Sequence, residues 1–352
     1  MKDVLQQTQT WRDAGQPMAV VTVVDTWGSA PRPVGAKLVA TADGRFAGSV
    51  SAGCVEGAVL EQCAAVIKTG QSKLLTYGVA DEDAWEVGLA CGGTIRVWVE
   101  PFDRWEPVFA PLTEAIVADQ SVALVSAMRE DAATNASKLL VYTTGETVGS
   151  LGMTPEREVE IATLAGDRLA HGGNGSLETT DAPSLFVEVY PRAPRLIIVG
   201  AVHIAAPLID LAHTLGFVTI LVDPREAFAT RERFPRADEL IRAWPEDALP
   251  GLELDDNAHI AILTHDPKID DPALKIALVS GARYIGALGS KRTAAARLER
   301  LRAAGLDETS LARLHAPIGL HLGGRSADEV ALSIMAEIVQ VRNQEVQLFR
   351  QS

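Results

Sequence analysis

The feature that most constrains the fold is the regular alternation of strand-like and helix-like segments after residue 193. Arg195–Gly200 is an apolar strand, Ile204–Leu215 has the periodicity of a helix, and Val218–Val222 is a second strand. Two further strands are predicted at His259–Leu263 and Tyr284–Leu288. This alternation is typical of a parallel, doubly wound sheet. The C-terminal part is therefore predicted to be a Rossmann-like domain.

Two helix starts are marked in the same part of the chain. Asp271 followed by Pro272 fits an N-cap with proline at the first helical position. Ser326 with Glu329 forms a capping box, which opens a last helix that runs to about Asn343.

The turn after the first Rossmann strand resembles a dinucleotide-binding fingerprint with one flaw. Gly200 permits the tight turn, Ala205 permits close helix packing, and Asp223 ends the second strand. The position where the backbone must approach a pyrophosphate holds Val202 instead of glycine. Its branched side chain should crowd the phosphates, so the sequence favours the fold and disfavours NAD(P) in the usual pose.

Two histidines are predicted at the edge of this sheet where open sheets bind ligands. His203 lies in the glycine turn, and His265 with Asp266 directly follows a strand. Together with Gly200 and Asp223, both histidines are candidates for nucleotide binding, and they are residue types that also hold phosphate or a metal. The alternative is that His265 satisfies backbone in a loop and that Asp266 caps a turn.

The first hundred residues alternate short apolar runs with glycine-bearing turns. The predicted elements are strands at Met18–Asp25, Lys37–Ala42, Arg45–Val50 and Thr94–Glu100, a hairpin turn at Asp43-Gly44, and a helix from Val55 to about Lys68. From about residue 102 to 192, Ser121–Val125 and Lys138–Tyr142 predict strands around a helix. No internal repeat is evident.

Pro191–Pro194 has the composition of a linker and separates two predicted domains. The first spans residues 1–190, with its motifs within 18–101, and the second spans 193–345. The predicted fold class is α/β: an N-terminal mixed α/β domain with Gly-rich cysteine loops, followed by a Rossmann-like doubly wound parallel sheet.

Charge and hydropathy exclude several classes of partner. The net charge is −14 and no basic run occurs, which argues against nucleic acid and anionic membranes. The most apolar stretch, Leu196–Ile209, is too short to span a bilayer, and the N-terminus carries no apolar signal segment. Three cysteines do not make a disulfide framework. A cytoplasmic protein is expected.

Two of the three cysteines lie in glycine-bearing loops. Cys54 follows Gly53 where a loop meets a helix N-terminus, a position whose N–H groups and dipole stabilise a thiolate and bind anions. Cys91 is followed by Gly92 and Gly93. Both loops are candidate ligand sites, and the alternative is that both thiols are small buried residues.

The third cysteine has a different environment. Cys63 falls on an apolar helical face with Val59 and Val66 and is predicted to be core packing. There is no Cys-x-x-Cys pair, and no histidine occurs before His171, so a closed zinc site lacks ligands.

Several blocks occur together in a specific order. In the N-terminal part they are Gly28–Ala36, Gly48–Gly57, Cys91–Gly93 and Val99–Pro101. In the C-terminal part they are Val187–Pro191, Thr264–Asp266, Tyr284–Lys291 and Ala316–Leu320. This set resembles the xanthine dehydrogenase accessory factors of the XdhC/CoxI type. Val202 departs from the family's Gly-Ala-Gly-His turn, and Ala52 stands where glycine is more usual.

The resemblance implies an accessory factor and not a self-sufficient enzyme. Such a protein binds the molybdopterin (molybdenum) cofactor, protects its sulfurated form and helps to insert it into an apo molybdenum hydroxylase of the xanthine dehydrogenase or CO dehydrogenase type. A cysteine desulfurase supplies the sulfur. The implied phosphate suits the glycine loops, and the soft molybdenum–sulfur end suits thiolates.

The implied cofactor-binding residues are Arg32, Gly53, Cys54, Glu56, Cys91, Gly92 and Gly93. Cys54 is expected to contact the molybdenum or its sulfur, with Cys91 as the partner thiol. Glu56 is a candidate for a hydrogen bond to the pterin and Arg32 for charge pairing with phosphate, although each is equally consistent with a solvated surface residue.

Two other functions are consistent with the sequence. The first is an NAD(P)-binding oxidoreductase, against which Val202 argues. The second is a protein-docking module without a bound cofactor, in which the cysteines are structural. A homodimer is the default expectation for a two-domain cytoplasmic factor.

Overall fold

The computed structural model describes residues 1–78, 93–130, 137–171, 173–177 and 184–349. The chain divides into two compact units, Met1–Arg192 and Ala193–Ser352. Among the described helices, none is long and apolar enough to cross a membrane.

The N-terminal unit contains ten described strands and four α-helices. The strands are β1 (Met18–Trp27), β2 (Lys37–Thr41), β3 (Phe46–Gly48), β4 (Lys73–Tyr77), β5 (Thr94–Pro101), β6 (Val122–Ala127), β7 (Lys138–Tyr142), β8 (Thr147–Ser150), β9 (Gly175–Leu177) and β10 (Leu185–Tyr190). The helices are α1 (Leu5–Asp13), α2 (Glu56–Thr69), α3 (Glu106–Val117) and α4 (Pro155–His171). Every element predicted from the sequence in this unit is confirmed, with ends displaced by a few residues.

Two five-stranded antiparallel sheets in this unit share one topology. Their strand orders are β3-β2-β1-β5-β4 and β8-β7-β6-β10-β9, so each strand of the first sheet has a counterpart in the second. A helix precedes each sheet (α1 and α3), and another connects the third strand to the fourth (α2 and α4). The expectation of no internal repeat is therefore wrong for the fold.

The two repeats share few residues, which explains why the sequence pattern did not reveal them. The residues that the two repeats have in common are those whose backbone conformation or buried contacts the fold requires. Gly48 and Gly149 lie at or near the end of the third strands in the left-handed region, at φ 83° and 91°. Lys37 and Lys138 begin the second strands and donate to the hydroxyls of Thr22 and Ser126 on the neighbouring strand.

The buried lysines join one repeat to the other. Lys37 forms an ion pair of 2.8 Å with Glu188, and Lys138 forms one of 2.7 Å with Glu100, so each lysine is paired with a carboxylate of the opposite repeat. Both ammonium groups also lie over the Trp105 ring, at 4.6 and 4.2 Å from its centroid. The apolar cluster around Trp105 likewise takes residues from both sheets. The two repeats therefore share one core.

The C-terminal unit is a Rossmann fold. Its strands are β11 (Arg195–Val199), β12 (Val218–Val222), β13 (Glu239–Ile241), β14 (Ala258–Ile262), β15 (Tyr284–Ala287) and β16 (Leu314–His315). Its helices are α5 (Ala205–Thr214), α6 (Pro245–Ala248), α7 (Pro267–Leu278), α8 (Lys291–Ala303), α9 (Glu308–Ala312) and α10 (Ala327–Phe349). The strand order β13-β12-β11-β14-β15-β16, with parallel pairing throughout, is that of a dinucleotide-binding domain. The predicted fold class is confirmed.

Each face of this sheet has its own apolar cluster. Leu208 of α5 and Ile334 of α10 belong to the cluster on one face. Leu274 of α7 and Leu301 of α8 belong to the cluster on the other face. The strands are buried on both sides, which is why they are continuous apolar runs in the sequence.

One of the two predicted helix starts is wrong. Helix α7 begins at Pro267, and its N-cap is Asp266, whose carboxylate accepts the Lys268 N–H at 3.0 Å. Pro272, predicted at the first helical position, lies inside the helix. The capping box of α10 is confirmed, because Ser326 and Glu329 exchange hydrogen bonds of 3.2 and 3.0 Å.

Candidate functional site

The loop between β3 and α2 carries the first candidate residues. Ala52 and Gly53 both adopt left-handed backbone, at φ 57° and 110°, and the chain then enters α2. The Cys54 side chain, which follows these two residues, is exposed. Glycine suits position 53 because L side chains rarely adopt such a φ. The candidate thiol is therefore accessible to a ligand.

The carboxylate of Glu56 lies beneath this loop and holds it together. One oxygen accepts the Ser49 hydroxyl at 2.7 Å and the N–H groups of Val50 and Ser51 at 3.2 and 2.9 Å. The other oxygen accepts the Ser51 hydroxyl and the Gly53 N–H, the latter at 2.8 Å. The side chain is buried.

The hydrogen bonds to Glu56 outweigh its burial. Burial alone would raise the pKa of this carboxyl group, but hydrogen bonds from Ser51 and Ser49 lower the pKa to about 2. The group is therefore ionised at neutral pH. The loop amides that the sequence offered to an external anion are already bound to an internal one.

Arg32 connects a second loop to the first. Its Nε donates to the Ser49 carbonyl at 3.2 Å, and its terminal nitrogen pairs with Asp3 at 3.2 Å. Arg32 and Glu56 therefore bind the same residue, Ser49, through its carbonyl and its hydroxyl group. If Arg32 contacts phosphate as predicted, it would do so through the guanidinium N–H groups that do not bind Ser49 or Asp3.

Gly93 brings a third segment to the same region. A Cβ atom at Gly93 would lie 2.7 Å from the Ser29 carbonyl oxygen and 3.1 Å from the Ala30 nitrogen, so only glycine allows this approach. The start of β5 therefore packs against the loop that carries Arg32. Cys91 and Gly92, which immediately precede Gly93, lie outside the described residues.

The remaining cysteine and the metal-ligand types have clear placements. Cys63 is buried in the core on α2, as predicted, and burial raises the pKa of its thiol to about 12. In the part of the chain that the structure describes, no three histidine, cysteine, aspartate or glutamate side chains converge as metal ligands.

The second candidate site is a cleft at the carboxyl edge of the Rossmann sheet, with a volume of about 440 Å³. It lies where the strand order reverses, between the loops that follow β11 and β14. Its lining residues are Val202, Arg225, Leu263, Thr264, His265, Asp266 and Pro267. His265 and His203 are exposed, and only His265 lines the cleft.

Gly200 and Val202 lie in the turn that follows β11. Gly200 has φ 115°, and a Cβ atom there would overlap the Thr264 side chain, so the close approach of the two loops requires glycine. Val202 lines the cleft at the place of the second fingerprint glycine. That its branched side chain would crowd a pyrophosphate stays a prediction.

Asp223 is committed to contacts within the protein. One oxygen accepts the Ala201 N–H at 2.7 Å, and both oxygens bind the Arg225 guanidinium, at 2.8 and 2.6 Å. Burial alone would raise the pKa of Asp223, but the hydrogen bonds from Arg225 and Ala201 lower the pKa. In dinucleotide-binding domains the equivalent acid binds ribose hydroxyls. Here the acid holds the glycine turn and Arg225.

Sequence reasoning missed Arg225. Its guanidinium lies over the Phe228 ring at 4.2 Å and lines the cleft. The available signal was an arginine two residues after the acid that ends the second Rossmann strand. Basic residues at this position are typical of sites that take a phosphate beside the ribose.

The chain therefore has the features of a two-unit protein: the first unit carries a glycine loop with an exposed cysteine, and the second is a Rossmann fold. Family models match both parts: the XdhC and CoxI family over residues 11–78, and the XdhC Rossmann domain over residues 196–338. The chain belongs to the XdhC and CoxI family.

Two relatives match nearly the whole chain. A Bacillus subtilis protein described as a probable xanthine dehydrogenase subunit is 30% identical over 92% of this chain and 92% of its own length. The molybdenum cofactor insertion chaperone PaoD of Escherichia coli is 26% identical over 94% of this chain and 85% of its own. A crystal structure described as a xanthine dehydrogenase from Bacillus halodurans matches with a TM-score of 0.75 and 26% identity, covering 97% and 96% of the two chains.

Proposed function

We propose that this chain is an accessory factor in the maturation of molybdenum hydroxylases and that it binds the molybdenum cofactor before insertion. The observation that carries the proposal is the exposed Cys54 thiol on a rigidly held loop, in a member of the XdhC and CoxI family. A relative of nearly equal extent is named a molybdenum cofactor insertion chaperone, which supports the same role.

The residues present fit the soft end of such a cofactor. Thiolates are good ligands for soft metal–sulfur centres, and Cys54 is an accessible thiol among the described residues. Cys54 would contact the molybdenum or its sulfur, with Cys91 as the proposed partner thiol. The cofactor supplies a molybdenum centre with its sulfur, and this chain supplies a thiol and the loop that presents it.

The finer parts of the proposal concern protein partners. The chain would receive a sulfurated cofactor with the help of a cysteine desulfurase and would pass it to an apo hydroxylase of the xanthine dehydrogenase or CO dehydrogenase type. We propose a homodimer as the working assembly. A role for Gly200, His203 and His265 in nucleotide binding stays a prediction, and the commitment of Asp223 to Arg225 argues against NAD(P) in its usual pose.

Pterin content tests the proposal directly. The full chain is purified from a host that makes the cofactor, and the released pterin is oxidised to its fluorescent form and counted per chain. We expect near-stoichiometric pterin in the parent and a loss of at least about tenfold in Cys54→Ala and Cys91→Ala, since a missing ligand group removes several kcal/mol at a binding site.

Cys63→Ala is the matched control because it also removes a thiol, but one that is buried in α2. It should keep the parent's pterin content. A parent protein that holds no pterin even with cofactor in excess would contradict the proposal and would favour the docking module.

A further inference from the structure

We infer that Glu56 is a positioning residue that occupies the anion pocket of the Cys54 loop, so that the loop meets its ligand through the Cys54 thiol and not through its backbone N–H groups. This inference rests on the proposed function, in which Cys54 contacts the cofactor. It reassigns Glu56, whose sequence position suggested direct contact with the pterin.

The geometry around Glu56 is that of a filled anion site. Three backbone N–H groups and two hydroxyls converge on one buried carboxylate, with N···O distances of 2.8 to 3.2 Å. An incoming phosphate would have to displace this carboxylate to reach the same donors. The loop therefore carries its own anion.

The second repeat supplies an internal comparison. There Glu158 accepts the Ser150 hydroxyl at 2.8 Å and the N–H groups of Leu151 and Met153 at 2.7 and 3.3 Å. Ser150 is the counterpart of Ser49, and Glu158 is the counterpart of Glu56. The loop of the second repeat leads into α4 at Pro155 and carries no cysteine.

The comparison separates two roles that one loop combines. A glutamate that braces the turn before the helix is a structural device common to both repeats. The cysteine is present in only one of them. What distinguishes the Cys54 loop is therefore the thiol, which stands on a loop that Glu56 braces.

The charge has a consequence for the ligand. The loop amides that could otherwise bind an external anion are bound to the Glu56 carboxylate, which already carries a negative charge. A second negative charge, such as a phosphate, is disfavoured at this loop for the same reason. The loop thus selects the soft metal–sulfur end of a cofactor, and the phosphate end binds elsewhere.

Matched substitutions in the two repeats test the role of Glu56 in the full chain. Glu56→Gln replaces one acceptor oxygen with an NH2 group that faces loop donors, and Glu158→Gln does the same in the other repeat. Each variant is treated with iodoacetamide at pH 7 in the native state, and the alkylation rate of Cys54 is followed by mass spectrometry of its peptide.

We expect Glu56→Gln to raise the Cys54 rate at least about threefold, because the new NH2 group cannot accept hydrogen bonds from the loop donors and the loop that presents the thiol is no longer held. Glu158→Gln should leave the Cys54 alkylation rate unchanged. Both variants should lower the melting temperature, and by similar amounts. Equal Cys54 rates in the parent and Glu56→Gln, or equal changes in both variants, would overturn the inference.

A milder pair keeps the test informative if Glu56→Gln does not fold. Ser49→Ala and Ser150→Ala each remove one hydroxyl donor at 2.7 and 2.8 Å from the respective glutamate. The Cys54 rate should respond to Ser49→Ala alone. A response to Ser150→Ala of the same size, or no response to either, contradicts the inference.

Pterin retention separates this inference from the proposed function. If Glu56 positions Cys54 for the cofactor, Glu56→Gln loses pterin and Glu158→Gln keeps it, and inorganic phosphate in large excess does not displace pterin from the parent. If the alkylation rates respond but Cys54→Ala retains full pterin, the positioning role stands and the cofactor contact at Cys54 fails.

Discussion

At the scale of single residues, buried polar groups decide what each site can do, and the residue types alone do not show which partners those groups bind. Glu56 is a clear case. Its sequence position beside Cys54 indicated a ligand contact, whereas its carboxylate serves the loop before it. Asp223 was recognised by its place in a fingerprint, but Arg225 takes both of its oxygens. A pattern identifies the residue type that a site uses, and only the folded loop shows whether that group is still available.

Other residues were predictable because local pattern alone determines them. Cys63 lies on an apolar helical face, and it is buried. Val202 departs from a fingerprint, and it lines the cleft where the fingerprint glycine would lie. In both cases the neighbours that matter are within one element or one turn.

His259 gives a residue-scale prediction for the pH dependence of stability. It is buried in β14, its Nε2 has no partner within the described residues, and its ring packs edge-on against Phe217. Burial lowers the pKa of this histidine from 6.5 to about 4. The folded form therefore resists protonation, and its stabilisation is complete above pH 6.5 and is lost as the pH falls toward 4.

We expect the C-terminal unit to lose about 2 kcal/mol between pH 6.5 and 4 through this group. His259→Phe keeps an aromatic ring and removes the titration, so its stability should fall less over the same range. Hydrogen exchange of β11 and β14 peptides at the two pH values measures the difference. Parallel losses in the parent and His259→Phe would show that other groups cause the pH dependence.

At the scale of elements, strands and helices were predicted well because apolar periodicity and caps are local signals. Helix α7 shows where this reasoning fails. Asp266-Pro267 and Asp271-Pro272 both satisfy the N-cap rule, and the chain uses the first pair. The choice depends on the end of β14, which places Asp266 at the sheet edge. Where two N-cap signals are equally strong, only their position in the folded domain determines which of them begins the helix.

The third strand of each repeat gives an element-scale prediction. A Cβ atom at Gly48 would overlap the Lys37 carbonyl oxygen and lie 2.5 Å from a Val4 methyl group. Gly149 has the same surroundings, with the Lys138 carbonyl and a Val108 methyl at 2.7 Å. Gly48→Ala and Gly149→Ala should each destabilise the N-terminal unit by about 3 kcal/mol, through left-handed strain and overpacking together.

Gly44→Ala isolates the strain in this comparison. Gly44 also has a left-handed φ, of 84°, but nothing lies within 4 Å of its Cβ position. Its substitution should cost about 1 kcal/mol, which is the backbone contribution alone. Urea denaturation of the three variants provides the values. If Gly48→Ala lowers the free energy of unfolding no more than Gly44→Ala does, overlap with the Lys37 carbonyl does not contribute to the destabilisation.

At the scale of the whole molecule, the sequence predicted two domains but gave no sign of the duplication inside the first unit. The change from Gly-rich turns to strand–helix alternation marks the linker. The repeats, in contrast, share a strand order but few residues, because most positions need only an apolar side chain of the right period. The retained matches are the lysines, the strand-end glycines and the bracing glutamates, which are too sparse to align by sequence.

The two ion pairs that each join a lysine of one repeat to a glutamate of the other, called the crossed pairs, lead to a prediction for the N-terminal unit as a whole. Lys37 is fully buried with Glu188, and Lys138 is fully buried with Glu100. Removing one partner of a buried pair leaves an uncompensated charge, which costs about 3–5 kcal/mol. A fragment of residues 1–101 would hold Lys37 and Glu100 without either partner, and a fragment of residues 102–192 would hold Lys138 and Glu188 in the same condition.

Neither fragment should therefore fold alone, although each contains a complete five-stranded sheet. Mixed in equal amounts, the two fragments should recover the pairs and the shared cluster around Trp105, and they should give the near-ultraviolet circular dichroism of residues 1–192. Lys138→Met in the second fragment should prevent this recovery, because Glu100 would then be buried without a cation. If either fragment folds cooperatively by itself, the crossed pairs do not bind the repeats into one folding unit, and each copy is an autonomous domain.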